Sequence, residues 1–129
     1  MKATIQHIIE PMALGTFAEF STTYGTGRSF FSSSTLEENQ TYDVEMEIDD
    51  DDFIWNTNIS PSTDCIPSLY FYSGKLCKTA KLISSDEDGD SELKLGDSII
   101  FISIDEIDLP LPLFINLTAQ KTTLYPTNI

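Results

Sequence analysis

His7 is the chain's only imidazole, and Cys65 and Cys77 are its only thiols. Serine–histidine and cysteine–histidine catalysis both need an imidazole oriented by a third polar group. His7 lies instead among Ile5, Ile8 and Ile9, which is the setting of a strand histidine. Structural zinc takes about four nitrogen or sulfur ligands, and one His with two Cys at these spacings supplies no such set. Gly25-Thr-Gly27 lacks the third glycine and the following helix of a phosphate-binding loop. Carboxylates are plentiful, and glycoside hydrolysis needs only two. It needs them isolated, however, in differing environments, one with a raised pKa. Here the acids come in runs open to solvent. The expectation is a protein that is not an enzyme, with no catalytic residues, no cofactor and no resident metal.

Two acidic runs dominate what remains. Nine acids and no base lie between Glu37 and Asp52, and five acids lie between Asp86 and Glu92. In Tyr42-Asp-Val-Glu-Met-Glu-Ile-Asp49, the apolar Tyr42, Val44, Met46 and Ile48 alternate with Asp43, Glu45, Glu47 and Asp49. Strand geometry sets alternate side chains ~6.6 Å apart on one face, so these four acids form a carboxylate row. A solvated face needs polarity but not one sign throughout, because interspersed lysines relieve repulsion. The row therefore reads as a surface for a basic partner. The partner-contact residues expected are Asp43, Glu45, Glu47, Asp49, Asp50, Asp51, Asp52, Trp55, Asp86, Glu87, Asp88 and Asp90. Trp55 follows the four aspartates closely enough to be an aromatic anchor beside a charged rim, or a core side chain. Calcium is a competing use of Asp86-Glu-Asp-Gly-Asp-Ser-Glu92, whose acids fall near alternate positions. Compared with the helix–loop–helix calcium site, Gly89 comes too early, Asp97 replaces the closing Glu, and no helices flank the loop.

The whole chain shares this bias. Twenty-one acids against seven bases give a net charge of −14, which repels phosphate backbones and anionic membranes and attracts basic surfaces. Direct nucleic-acid binding and membrane binding are both disfavoured. With 129 residues, 40% hydrophobic content and eight Phe, there is material for one folded domain over 1–129. The opening MKATIQHIIEPMALG has neither the apolar core nor the cleavage pattern of a secretory signal. Reduced cysteines and a cytoplasmic location are expected in consequence. The glycosylation triplets at Asn39, Asn58 and Asn116 then carry no meaning.

Period-two patterning recurs along the chain. Ala3, Ile5 and Ile8 open one strand, Phe17 and Phe20 lie in a second, and residues 24–27 read as a turn. After Tyr42–Asp49 comes a long loop over 56–67, then strands at Leu69–Tyr72 and Leu76–Ile83 and a turn at Asp86–Asp90. In Leu93–Ile104 a Gly-Asp turn leads into a segment apolar on both faces, the pattern of a central strand covered on both sides. Leu113–Leu117 and Thr122–Tyr125 close the chain. A short helix is allowed near Pro11–Leu14 or Asp105–Leu109. Leu36–Asp50 also aligns without gaps on Leu93–Ile107, which would fit two related meanders. The expected fold is all-β, mainly antiparallel, a small sandwich or barrel of two meanders with at most one or two short helices.

In size, acidity and missing catalytic groups, the chain resembles bacterial immunity proteins that neutralise nuclease toxins, including those of contact-dependent growth inhibition. Acidic phage inhibitors that mimic DNA share these features. The resemblance implies a cytoplasmic inhibitor whose partner is a basic toxin nuclease domain. The alternative is a β-barrel adaptor or structural subunit whose charge only confers solubility. A small hydrolase is the third class, and the absent constellations weigh against it. Acidic clusters that converge on one face favour the inhibitor; clusters on opposite faces favour the adaptor.

Overall fold

A computed structural model describes residues 1–50, 53–105 and 109–127. The described residues form eleven strands and no helix: β1 (Lys2–Met12), β2 (Gly15–Thr22), β3 (Gly25–Phe31), β4 (Thr41–Ile48), β5 (Ile59–Pro61), β6 (Ser68–Tyr72), β7 (Lys75–Ser85), β8 (Asp90–Leu95), β9 (Ser98–Ser103), β10 (Leu113–Ala119) and β11 (Thr122–Pro126). A closed barrel runs β1-β2-β3-β11-β4, and a second sheet runs β5-β10-β7-β8-β9 with β6 also pairing β7. Pairing between strands is antiparallel except for β3 with β11. The fold is all-β, as expected, and two antiparallel meanders, β1-β2-β3 and β7-β8-β9, make up much of it.

Alternation explains most of these strands. In β4, Tyr42, Val44, Met46 and Ile48 are buried while Glu45 and Glu47 are exposed. One apolar core spans both sheets, from Ile5, Phe20 and Phe31 in the barrel to Leu82, Leu93 and Ile100 in the second sheet. Phe20 and Phe31 meet edge to face, with centroids 5.5 Å apart. Two register irregularities in β1 give this long strand the local bend that closing a small barrel requires. The sheets adjoin along two seams, β3 against β6 and β4 against β9. At the first, Leu69 N–H donates to the Tyr24 carbonyl at 3.0 Å. Gly25 lies so close there, at φ +143°, that any Cβ would collide with the Leu69 carbonyl oxygen.

Five local expectations change. The turn read over 24–27 is confined to Thr23 and Tyr24, because β3 already pairs with β2 from Gly25 onward. Pro11–Leu14 is not helical, because β1 continues to Met12 against β2; residues 106–108 of the other proposed helix lie outside the described residues. The 56–67 loop contains a short strand, β5, recruited by β10. The echo between Leu36–Asp50 and Leu93–Ile107 is out of phase: the alignment sets buried Tyr42 and Val44 on Ile99 and Phe101, which are 41% and 71% exposed. Most consequential is β9, read as central. Among the described residues β8 is the one strand it pairs with, Phe53 alone bridging its far end on the other side, and it is the last strand of its sheet. Its second apolar face is uncovered, and that uncovered face borders the site described below.

Cys65 is exposed and Cys77 buried, both as free cysteines. A thiol reagent is expected to label one cysteine in the native protein and the second only after denaturation. Protection of both against native labelling would contradict this placement.

Candidate functional site

The seam between β4 and β9 follows from where their main-chain groups point. On β4, Asp49 N–H donates to the Lys121 carbonyl and the Asp43 carbonyl accepts from Thr127 N–H, both towards β11, whereas Val44 N–H donates to Met1 on the opposite side. Strand alternation then turns the main-chain groups of Met46 and Ile48 away from β11, to a side where no strand pairs with them among the described residues. On β9, Ile104 N–H donates to the Gly89 carbonyl on the β8 side, and the Ser103 carbonyl accepts from Phe53 N–H on the other. The same alternation turns the groups of Ile99 and Phe101 away from β8.

Between these edges lies a hollow of about 670 Å³, lined among others by Glu45, Glu47, Asp97, Ile99, Phe101 and Tyr125. A second hollow of about 440 Å³ shares Ile48 and Phe101 with the first and adds Asp50 and Asp90. Together they form one groove, acidic at both ends, with Phe101 between. Among the described residues no Lys, Arg or His lines either part, although Met1, which carries the N-terminal ammonium, borders the first. The Tyr125 hydroxyl is held above its ordinary pKa by partial desolvation and by the Glu47 and Asp49 carboxylates beside it. An exposed aromatic side chain within a mostly acidic rim is the composition of a binding surface.

The expected contact residues divide. Glu45, Glu47, Asp50 and Asp90 come together along this groove, joined by Asp97. Asp43 pairs with Lys2 at 3.1 Å, tying β4 to β1, and Asp49 is exposed at the end of the carboxylate row. Asp50 has a second attachment: its carboxylate accepts from Gln120 N–H at 2.8 Å and Lys121 N–H at 2.6 Å, clamping the β10–β11 turn. Asp51 and Asp52 lie outside the described residues. Trp55 is half-buried and packs against the core. Asp86 accepts from the backbone N–H of Asp88 and Asp90 at 2.9 and 3.0 Å, shaping the β7–β8 turn. Glu87 and Asp88 stand exposed on that turn. Among the described residues no group of three or more His, Cys, Asp or Glu is placed to hold a metal ion. His7 is exposed and faces Glu38 at 3.3 Å.

Ile99, Phe101, Asp97 and Tyr125 were not among the expected contacts. The available signal was the doubly apolar run of β9, which fits a buried central strand or an edge strand with a binding face. Lys78 was also passed over. It is 1% exposed, on the same β7 face as buried Leu76, Ala80 and Leu82, and its Nζ has no hydrogen-bond partner among the described residues. Burial pulls its pKa down to about 7, with Asp50 and Cys77 opposing the shift.

No family model, curated protein or solved structure matches this chain.

Proposed function

We propose that this chain is an acidic inhibitor that binds a basic enzyme and covers its active site, as bacterial immunity proteins do for nuclease toxins in the cytoplasm. The observation that supports this reading is the β4–β9 groove, where acids from both runs converge around Phe101 with no Lys, Arg or His among the described lining residues. Carboxylates there would meet lysines and arginines that otherwise hold a phosphate backbone, while Phe101 and Ile99 supply apolar area. Charge of one sign speeds encounter, and buried apolar contact slows dissociation. A second reading, the adaptor with solubilising charge, draws on Glu87 and Asp88, which stand on the β7–β8 turn and line neither hollow.

The two readings part on one experiment. The partner is captured from the native host, and its association rate is measured across a salt series. In the inhibitor, the double reversal Glu45→Lys and Glu47→Lys lowers the association rate roughly 10-fold or more at low salt and flattens its salt dependence. Reversal of exposed Glu10, or of Glu87 with Asp88, changes it little. Glu19 is a poor control, since it pairs with Arg28 at 3.2 Å. Equal effects from all three sets would leave charge as a solubility device and favour the adaptor.

A further inference from the structure

Acid charge alone does not account for the form of the β4–β9 seam. Edge strands are ordinarily blunted by shortness, proline, lysine or a bulge, because open N–H and C=O groups invite pairing. β9 has none of these guards. It runs Ser98–Ser103 without Pro or Lys, in unbroken register with β8, and holds Phe101 at 71% exposure on its uncovered face. Facing it across the hollow are the main-chain groups of Met46 and Ile48, also without a strand partner among the described residues. One hollow is thus bordered by two edges that no strand pairs with among the described residues, Phe53 closing only the Ser103 end of β9.

We propose that an extended segment of the partner, with basic side chains at alternate positions, docks in this groove as an added strand on the β9 edge. The proposal rests on the reading above that the partner is basic, and it specifies how that partner is held. Main-chain hydrogen bonds to Ile99 and Phe101 would give affinity, and alternate side chains would give selectivity. With the Ser103 carbonyl already taken by Phe53 N–H, the stretch from Ser98 to Ile102 offers ~17 Å of edge. Basic side chains on such a strand would reach Glu45, Glu47 and Asp97 at one end and Asp50 and Asp90 at the other. β-branched side chains between them would pack on Ile99 and Phe101, a favourable cross-strand pairing. A second copy of this chain is a poor occupant, because self-pairing would set the same carboxylates of two chains of charge −14 against one another.

The full chain is tested with a synthetic peptide of about ten residues alternating Lys and Val, long enough to span the edge. Two controls accompany it: the Glu–Val analogue, and a Lys–Val peptide N-methylated at alternate residues. Saturating Lys–Val peptide is expected to slow amide exchange at Ile99 and Phe101 roughly 10-fold or more. The Glu–Val peptide should not bind, and N-methylation should abolish binding while leaving the peptide's charge intact. Phe101→Pro, which removes an open-edge N–H without touching the β8 ladder, should weaken binding more than Phe101→Ala. If Phe101→Pro fails to fold, the N-methylated peptide still decides the matter. Absence of Lys–Val binding, or binding that leaves the two amides unprotected or survives N-methylation, overturns strand addition. If that binding remains salt-dependent and sensitive to the Glu45 and Glu47 reversals, the acidic-inhibitor reading stands without it. A dimer that protects Ile99 and Phe101 with no peptide present would assign the edge to a second copy and overturn the proposal.

Discussion

Replacing Lys78 with Met is expected to make this protein more stable, and by more at pH 7 than at pH 10. The Lys78 amine has a pKa of about 7 in the fold against an ordinary 10.5. Between those values the unfolded chain holds a proton that the folded chain does not, so stability rises with pH across that window. Below about pH 7 both states are protonated, and the cost of burying the charge is present in full. A shift of this size corresponds to about 4 kcal/mol at pH 7, falling to about 1 kcal/mol at pH 10. Met fills a similar volume without a charge or a polar group in need of a partner. Urea unfolding of both proteins at pH 7, 8 and 9 should therefore show curves of stability against pH that converge. A gain independent of pH would mean that Lys78 reaches solvent; a loss would mean that the amine has a partner in the native fold.

Asp50→Ala should act in the opposite direction, costing about 2 kcal/mol. The carboxylate receives the Gln120 and Lys121 N–H groups at the β10–β11 turn, and alanine leaves both donors without it. Asp50 also favours the protonated Lys78 amine, so its removal makes that buried charge costlier still. The two substitutions are consequently coupled: in the Lys78→Met background, Asp50→Ala should cost less, by roughly 0.5–1 kcal/mol at pH 7. Faster amide exchange at Gln120 and Lys121 should accompany it. Strict additivity would show that Asp50 does not influence the amine. Because Asp50 anchors the turn from which β11 leaves, a binding defect in Asp50→Ala alone does not identify it as a contact. The Glu45 and Glu47 reversals carry that test, since neither residue makes a described hydrogen bond or ion pair beyond the Tyr125 contact of Glu47.

Alternation in Tyr42–Asp49 determined, without any fold, both the buried and the acidic face of β4, because side chains of a strand must point to opposite sides in turn. The same rule made the chain all-β, and its charge follows from composition alone. Those are local properties: each depends on neighbours one or two residues away. Whether an apolar strand face is covered is not local. The run Ser98–Ser103 has the same pattern as a central or an edge strand, and only the sheet order β5-β10-β7-β8-β9 places it at an edge with Phe101 uncovered. The meeting of Asp50 with Asp90, 40 positions apart in sequence, in one hollow likewise depends on how the second sheet closes against the barrel. Lys78 makes the point most sharply. Lysine is ordinarily a surface residue, and although alternation sets Lys78 on one face with Leu76, Ala80 and Leu82, it does not say that this face is covered over the lysine. Its amine lost solvent because β6 and β10 both pair with β7 at that position, with Leu69 and Leu117 as its neighbours. Burial and electrostatic field are sums over the whole packed chain, so the tertiary structure alone decided them.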